Sequence, residues 1–279
     1  ERPQGRLPDG KNPSAPQVSI IEHADVKRML LAQKAYVEGA FDLGLYASRL
    51  FDDTETLDTE EERKNALQLL DLLTPIVKAW PSDYCLKANE LAIQILGGHG
   101  YTREYPVEQF YRDNRLNPIH EGTNGIQSLD LLARKVTMNG GAALKQLSGI
   151  IQSCCKRAAE YSELNELREP LEKLHAHIGS VTMALLGDMG QGKVNEALAN
   201  SALYLKAFGH MVIGWRWLEQ AVKAQQGLAA GNEADTAFYQ GKLQAARYFL
   251  RWEVPSCHHD LNVLENRDLT CFDMQDGWF

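Results

Sequence analysis

No apolar run in this chain approaches the roughly 20 residues needed to span a bilayer, and the opening residues Glu1-Arg2-Pro3-Gln4-Gly5-Arg6 lack the apolar stretch of a signal peptide. A membrane span and an export signal are therefore not expected, and a cytoplasmic location is. Cysteine is scarce and odd in number: Cys85, Cys154, Cys155, Cys257 and Cys271 contain no C-x-x-C pair, which excludes a disulfide framework and a thiolate metal site. Basic residues are in deficit, with 29 Lys and Arg against 37 Asp and Glu and a net charge of -8. Without a basic stripe there is no electrostatic footprint for nucleic acid or an anionic membrane. Two histidine groups invite a metal reading and fail it. Cys257-His258-His259-Asp260 are consecutive and splay apart, reading as ordinary tail residues. His175 and His177 point about 200° from each other if helical.

What is present is helical periodicity. With 279 residues and 44% hydrophobic content the chain can bury a sizeable core. Val26, Leu30, Val37, Phe41 and Leu45 fall on one stripe of a helix expected over about 22 to 51. The acidic stretch 52 to 62 reads as an exposed loop and the first turn of a second helix, which ends near Lys78. Trp80-Pro81-Ser82 reads as a break with Ser82 as N-cap, followed by a third helix that stops at Gly97-Gly98. A short helix over 106 to 116 comes next, and another starts at Thr123 or Asn124. Beyond the turn Asn139-Gly140-Gly141, helices are expected over about 142 to 163, 167 to 189, 191 to 229 and 233 to 253, with an irregular tail after Pro255. The fold class is all-α: an antiparallel helical bundle over 1–139 and an appended helical extension over 140–279.

Two short blocks carry chemistry. Gln94-Ile95-Leu96-Gly97-Gly98-His99-Gly100-Tyr101 ends a helix on glycines that let backbone approach a ligand, although a helix stop and a turn account for the same pattern. It is no dinucleotide fingerprint, since no strand precedes it. His120-Glu121-Gly122-Thr123-Asn124-Gly125-Ile126-Gln127 sets one carboxylate just ahead of a helix start, where it can serve as a base or simply favour the positive end of the dipole.

Together with Tyr105-Pro106-Val107-Glu108-Gln109-Phe110-Tyr111-Arg112-Asp113, these blocks resemble the C-terminal helical domain of the flavin-dependent acyl-CoA dehydrogenases. The resemblance implies oxidation of an acyl-CoA thioester to the trans-2-enoyl-CoA, with FAD as hydride acceptor and a role in fatty-acid β-oxidation. It makes Glu121 the base that removes the α-proton, its pKa raised once substrate and flavin enclose it. His120 and Gly122 fall beside the substrate, and the N–H of Glu121 can donate to the thioester oxygen. Gln94, Gly97 and Gly98 match positions that meet the flavin of a neighbouring subunit, and Thr123 either caps its helix or contacts flavin. Arg2 matches an arginine that reaches the pyrophosphate. The partners implied are acyl-CoA, an electron acceptor such as an electron-transferring flavoprotein, and a second copy in a homodimer. Arg112-Asp113 reads as a buried or interfacial ion pair.

The sequence departs from the compact members at His120, where Tyr is usual, and at Gly125, where Gln is frequent. The segment after 140 resembles the C-terminal extension of the larger bacterial members, a group that includes 3-methylmercaptopropionyl-CoA dehydrogenases. No counterpart of the family's N-terminal helical and β-barrel domains is present, so the chain reads as the C-terminal part of an enzyme and is expected to be inactive alone. The alternative is a non-catalytic helical scaffold or interaction subunit derived from the same fold.

Overall fold

A computed structural model describes residues 3–8, 13–231 and 233–279. Helix α1 (Ala24–Thr56) has the expected period but turns the opposite face inward. Its buried positions are Met29, Ala32, Ala35, Tyr36, Gly39, Ala40, Leu43, Ala47 and Leu50. Leu30, Val37, Phe41 and Leu45, four residues of the expected core stripe, lie on the exposed side, Phe41 at 69%. Both faces of α1 are apolar, and the inner one wins because its Ala and Gly residues let neighbouring backbones come close. A Cβ on Gly39 would meet Ile213 Cγ2 and Trp217 Nε1, each at 2.9 Å.

Helix α2 (Glu60–Leu96) pairs with α1 along its length and opens on a capping box in which Thr59 and Glu62 satisfy each other's backbone N–H. The expected break at Trp80-Pro81-Ser82 does not occur: Pro75 and Pro81 both lie inside α2. Pro costs about 3 kcal/mol in a helix interior, so packing must outweigh it. Trp80 is 3% exposed, stacks on Tyr84 at 4.3 Å and meets Tyr36, His210 and Phe249 edge-on. Ser82 is no N-cap; its hydroxyl donates to the carbonyl of Lys78.

A 3-10 turn (Gly97–Tyr101) leads to α3 (Val107–Asn114), then α4 (Asn124–Leu129), which runs into a π-helical turn (Asp130–Lys135). On α3, Arg112 pairs with Glu108 at 2.9 Å on the surface, so the expected Arg112-Asp113 ion pair is not formed. The i,i+4 geometry of the helix favours Glu108 over the adjacent residue.

At Asn139, Gly140 and Gly141 three consecutive residues take positive φ (53°, 67° and 78°) and turn the chain into α5, Met138–Ala158 in full. The rest is α6 (Asn165–Gly190), α7 (Val194–Leu198), α8 (Ser201–Ala229), α9 (Thr236–Tyr248), a π-helical turn (Phe249–Glu253) and α10 (Val254–Glu265). The last helix corrects the expectation of an irregular tail. Pro255 sits in its first turn, where a missing N–H is harmless. Cys257 and Asp260 are accordingly buried, and Asp260 pairs with Lys206 at 2.7 Å.

Helix α8 is the hub. Trp215, Trp217, Phe208 and Tyr204 are all fully buried on it, whereas Phe238 on α9 and Trp252 in the π-helical turn are exposed. Trp217 Nε1 donates to the carbonyl of Ala35 at 3.1 Å, Arg216 grips Asp42 at 2.5 Å, and Tyr36 donates to Glu253 at 2.7 Å. One core therefore runs across Asn139–Gly141, from Ala32 to Leu264. No strand is formed among the described residues beyond an isolated bridge between Pro3 and Ser19, and no described helix is long and apolar enough to cross a membrane.

Candidate functional site

The loop between α3 and α4 is built on a turn that closes twice. Ile119 and His120 both donate backbone N–H to the carbonyl of Leu116, and the ring Nδ1–H of His120 donates to the same carbonyl at 3.0 Å. Glu121 then takes φ 53° and Gly122 φ 81°. Left-handed backbone is natural for glycine and costs about a kcal/mol or more for a residue with a side chain. Two consecutive left-handed residues reverse the chain and leave the Glu121 carboxylate exposed at the tip.

Three side chains hold that strained tip. Thr123 caps α4, its Oγ1 accepting from the N–H of Ile126 at 3.4 Å, which fits the capping role expected of it. Gln127 donates its amide to the carbonyls of Glu121 (3.5 Å) and Gly122 (3.4 Å), and a Cβ on Gly122 would come within 2.9 Å of its Nε2. Asn124 ties the whole loop to α2: it donates to Asp83 Oδ1 at 2.8 Å and to the carbonyl of Ala79 at 3.4 Å, and accepts from Lys78 Nζ at 3.1 Å. Burial pushes the Asp83 carboxyl above its ordinary range, with the Asn124 hydrogen bond and nearby cations opposing. A second amide chain secures the other side of the loop, Asn117 to Asn114 at 2.6 Å and Asn114 to Asn89 at 2.8 Å.

Sequence reasoning had singled out Glu121, Gly122 and Thr123 but not Asn124, Gln127 or Asp83 as site residues. Asn124 was legible as a possible cap, yet its partners lie more than 40 residues away on α2, in a stretch misread as a helix break.

The glycine block forms a separate place. Gly97 ends α2 with φ 60°, and a Cβ on Gly97 or Gly98 would meet nothing within 4 Å, so backbone there is open to approach. The steric demand for glycine falls instead on Gly100, where a Cβ would lie 2.5 Å from the carbonyl of Ile93. Gln94, Gly97 and Gly98 share a cavity of 340 Å³ with Gln4, Ile20 and His23. His23 holds the amino-terminal segment there, donating from Nε2 to the carbonyl of Gln4 at 2.7 Å. Arg2 lies outside the described residues. Gln94 and Asp83 are 11 positions apart on α2, about 17 Å along the axis, so the glycine block and the Glu121 loop sit at two levels of one helix rather than in a shared pocket.

No group of three or more His, Cys, Asp or Glu side chains is arranged to hold a metal ion among the described residues. His177 and His258 do come together, stacked at 5.2 Å with Nδ1 atoms 2.9 Å apart, while His175 turns away to Ser148.

Two family models match successive parts of the chain: "Acyl-CoA dehydrogenase, C-terminal domain" over residues 11–137 and "Acetyl-CoA dehydrogenase C-terminal like" over residues 147–275. The chain is 32% identical over 95% of its length to a broad-specificity linear acyl-CoA dehydrogenase, FadE5, of Mycobacterium tuberculosis, covering 45% of that protein. It is 34% identical over 92% of its length to a 3-methylmercaptopropionyl-CoA dehydrogenase of Ruegeria pomeroyi, covering 43% of it. Among solved structures, Caenorhabditis elegans ACDH-11 in complex with C11-CoA matches with a TM-score of 0.59 at 17% identity, over 86% of this chain and 39% of that one. Yarrowia lipolytica acyl-CoA oxidase3 matches with a TM-score of 0.59 at 17% identity, over 95% and 43%. These structural likenesses concern the fold. The chain spans less than half the length of the curated relatives it matches.

Proposed function

Because the chain belongs to the acyl-CoA dehydrogenase family through its C-terminal helical domains, we propose that it is the base-bearing helical part of an FAD-dependent enzyme that converts acyl-CoA to trans-2-enoyl-CoA. The observation that carries this reading is the carboxylate of Glu121, exposed on a left-handed tip that Thr123, Asn124 and Gln127 hold fixed. A glutamate needed only for the helix dipole would not require a strained backbone anchored from three sides.

Bound FAD supplies the acceptor for the hydride that leaves the β-carbon. Glu121 takes the α-proton, and its backbone N–H lies in the same loop, available to donate to the thioester oxygen as charge develops there. Gly122, without a Cβ, leaves room for the thioester beside the carboxylate. His120 donates from Nδ1 to the carbonyl of Leu116, which holds its ring beside Glu121 at the edge of the proposed substrate site. Gln94, Gly97 and Gly98 fit a flavin nucleotide: the glycine backbone is unobstructed and the cavity beside it opens toward the amino-terminal segment. Thr123 spends an oxygen lone pair on its cap and keeps its proton to donate. Arg2 is assigned to the pyrophosphate on the resemblance alone.

A two-fold dimer is the minimum assembly in this reading, with the exposed apolar stripe of α1 covered by another domain or copy. Electrons pass on to an acceptor of the electron-transferring flavoprotein type, in the cytoplasm. The test is Glu121→Gln in the flavin-loaded enzyme. Flavin content should be unchanged while single-turnover bleaching by acyl-CoA slows by about 10³-fold or more, the upper range for loss of a general base. Bleaching at the parent rate would sink the assignment.

A further inference from the structure

Where the start of α5 crosses α6, above α8, the extension encloses a cavity of 540 Å³, a volume ordinary for small-molecule sites. Its deep wall is apolar: Leu147, Ile151, Ile178 and Met211 line it and all are buried. At its edge Met183 is 69% exposed, and Gly179 leaves a gap, since a Cβ there would meet nothing within 4 Å. The polar lining comes from both helices, Lys145 and Ser148 on α5 and His175 and Thr182 on α6. Lys145 is the charged lining residue and makes no ion pair among the described residues, and no Asp or Glu lines the space.

Beside it, Ser148 and His175 are 2.9 Å apart. Ser148 Oγ also accepts from Gln152 Nε2 at 3.4 Å. Burial pushes the His175 pKa down, which keeps its ring neutral. The neutral pair shares its protons in one of two ways, Nε2–H to Oγ, which leaves the Ser148 hydroxyl proton free, or Oγ–H to Nε2, which leaves the Nδ1–H of His175 free, and in both the pair keeps one donor. An apolar wall, a lysine without an ion pair among the described residues and one donor of the Ser148–His175 pair suit an alkyl chain ending in a carboxylate.

We propose that this cavity binds a free medium-chain alkyl carboxylate, its chain against Leu147 and Met211 and its head between Lys145 and Ser148. The site is built from the extension and its junction, and it stands independently of the role given to Glu121.

Sodium decanoate is the probe, titrated into the 279-residue chain with ¹³C-labelled methionine methyl groups. Saturable shifts are expected at Met183 and Met211, with Met29 and Met274 unmoved. Lys145→Met should weaken decanoate about 5-fold or more while leaving 1-decanol unchanged, because only the charged head uses the ammonium. Gly179→Leu starts from a position where a Cβ meets nothing within 4 Å and extends toward the cavity, so with a parent-like melt it should weaken both ligands about 10-fold or more. The proposal is overturned by the absence of saturable shifts up to about 1 mM decanoate, by equal shifts at Met29, or by variants that titrate as the parent does.

Discussion

The side-chain amide of Asn124 donates to Asp83 Oδ1 at 2.8 Å, and through that bond the loop bearing Glu121 is fastened to the middle of α2. Asn124→Ala removes this bond, the weaker one to Ala79 and the acceptor for Lys78. The flavin-loaded enzyme should keep its flavin and lose about 10- to 100-fold in the rate of flavin reduction, the scale on which small misplacement acts. An unchanged rate would mean the loop is positioned by something else. Melting should fall modestly, since each lost hydrogen bond is worth about 0.5–1.5 kcal/mol.

Gly39 lies where α1 meets α8. A methyl group there must displace Ile213 or the indole of Trp217, both held in a filled core. Gly39→Ala should destabilise the chain by about 1–3 kcal/mol, despite the better helix propensity of alanine. Gly179→Ala, with open space around it, is the control and should be neutral or slightly stabilising; thermal unfolding of the pair compares them directly.

These two glycines show what the sequence could convey. Helical period was legible almost everywhere, because it is a local property of the pattern. Which side of α1 faces inward was not, since Val37, Phe41 and Leu45 are larger and more apolar than Ala35, Gly39 and Ala40. The choice is made by Trp217 and Ile213, roughly 180 positions later. Pro81 misled for the same reason: its cost is local, and the aromatic cluster that overrides it comes from α1, α8 and the turn at Phe249. Glu121 and Gly122 were readable as a motif, but the anchors Asp83 and Lys78 lie far away in sequence.

His210 gives a pH dependence. Its Nδ1–H donates to the carbonyl of Lys206 at 2.8 Å, the shorter of its two contacts, so Trp80 Nε1 at 3.4 Å gains little from the same nitrogen. Nε2 is left buried without a partner. Burial pushes its pKa down to about 3 from 6.5, opposed by the hydrogen bond to the Lys206 carbonyl and aided by the charges of Lys206 and Lys87. The folded chain therefore holds this ring neutral while the unfolded chain protonates it below pH 6.5. Its contribution to stability is complete above that value and is lost as pH falls toward about 3, at roughly 1.4 kcal/mol per pH unit at most. His210→Phe should flatten the acid limb of a stability–pH curve measured by urea unfolding; an unchanged limb would remove His210 as its cause.

Truncation after Asn139 should leave a chain that does not fold. It would strip Trp217 from Ala35, Arg216 from Asp42, and Phe249 and His210 from Trp80. Circular dichroism and soluble yield would check this. A soluble truncation with a cooperative melt would show that α1 to α4 are self-sufficient.

The bond from Trp217 to Ala35 joins residues 182 positions apart. Ribosomes add about 5–20 residues per second, so α1 is made about 10–40 s before the stretch of α8 that packs on it. Helix α2 follows at once and can pair with α1, but throughout that interval the part of the Ala-Gly face around Gly39 that Ile213 and Trp217 cover is bare, as is the side that carries Phe41. The nascent chain thus offers a long amphiphile to chaperones and to neighbouring polysomes, and the yield of this protein in a cell should depend on how fast codons 57 to 217 are read.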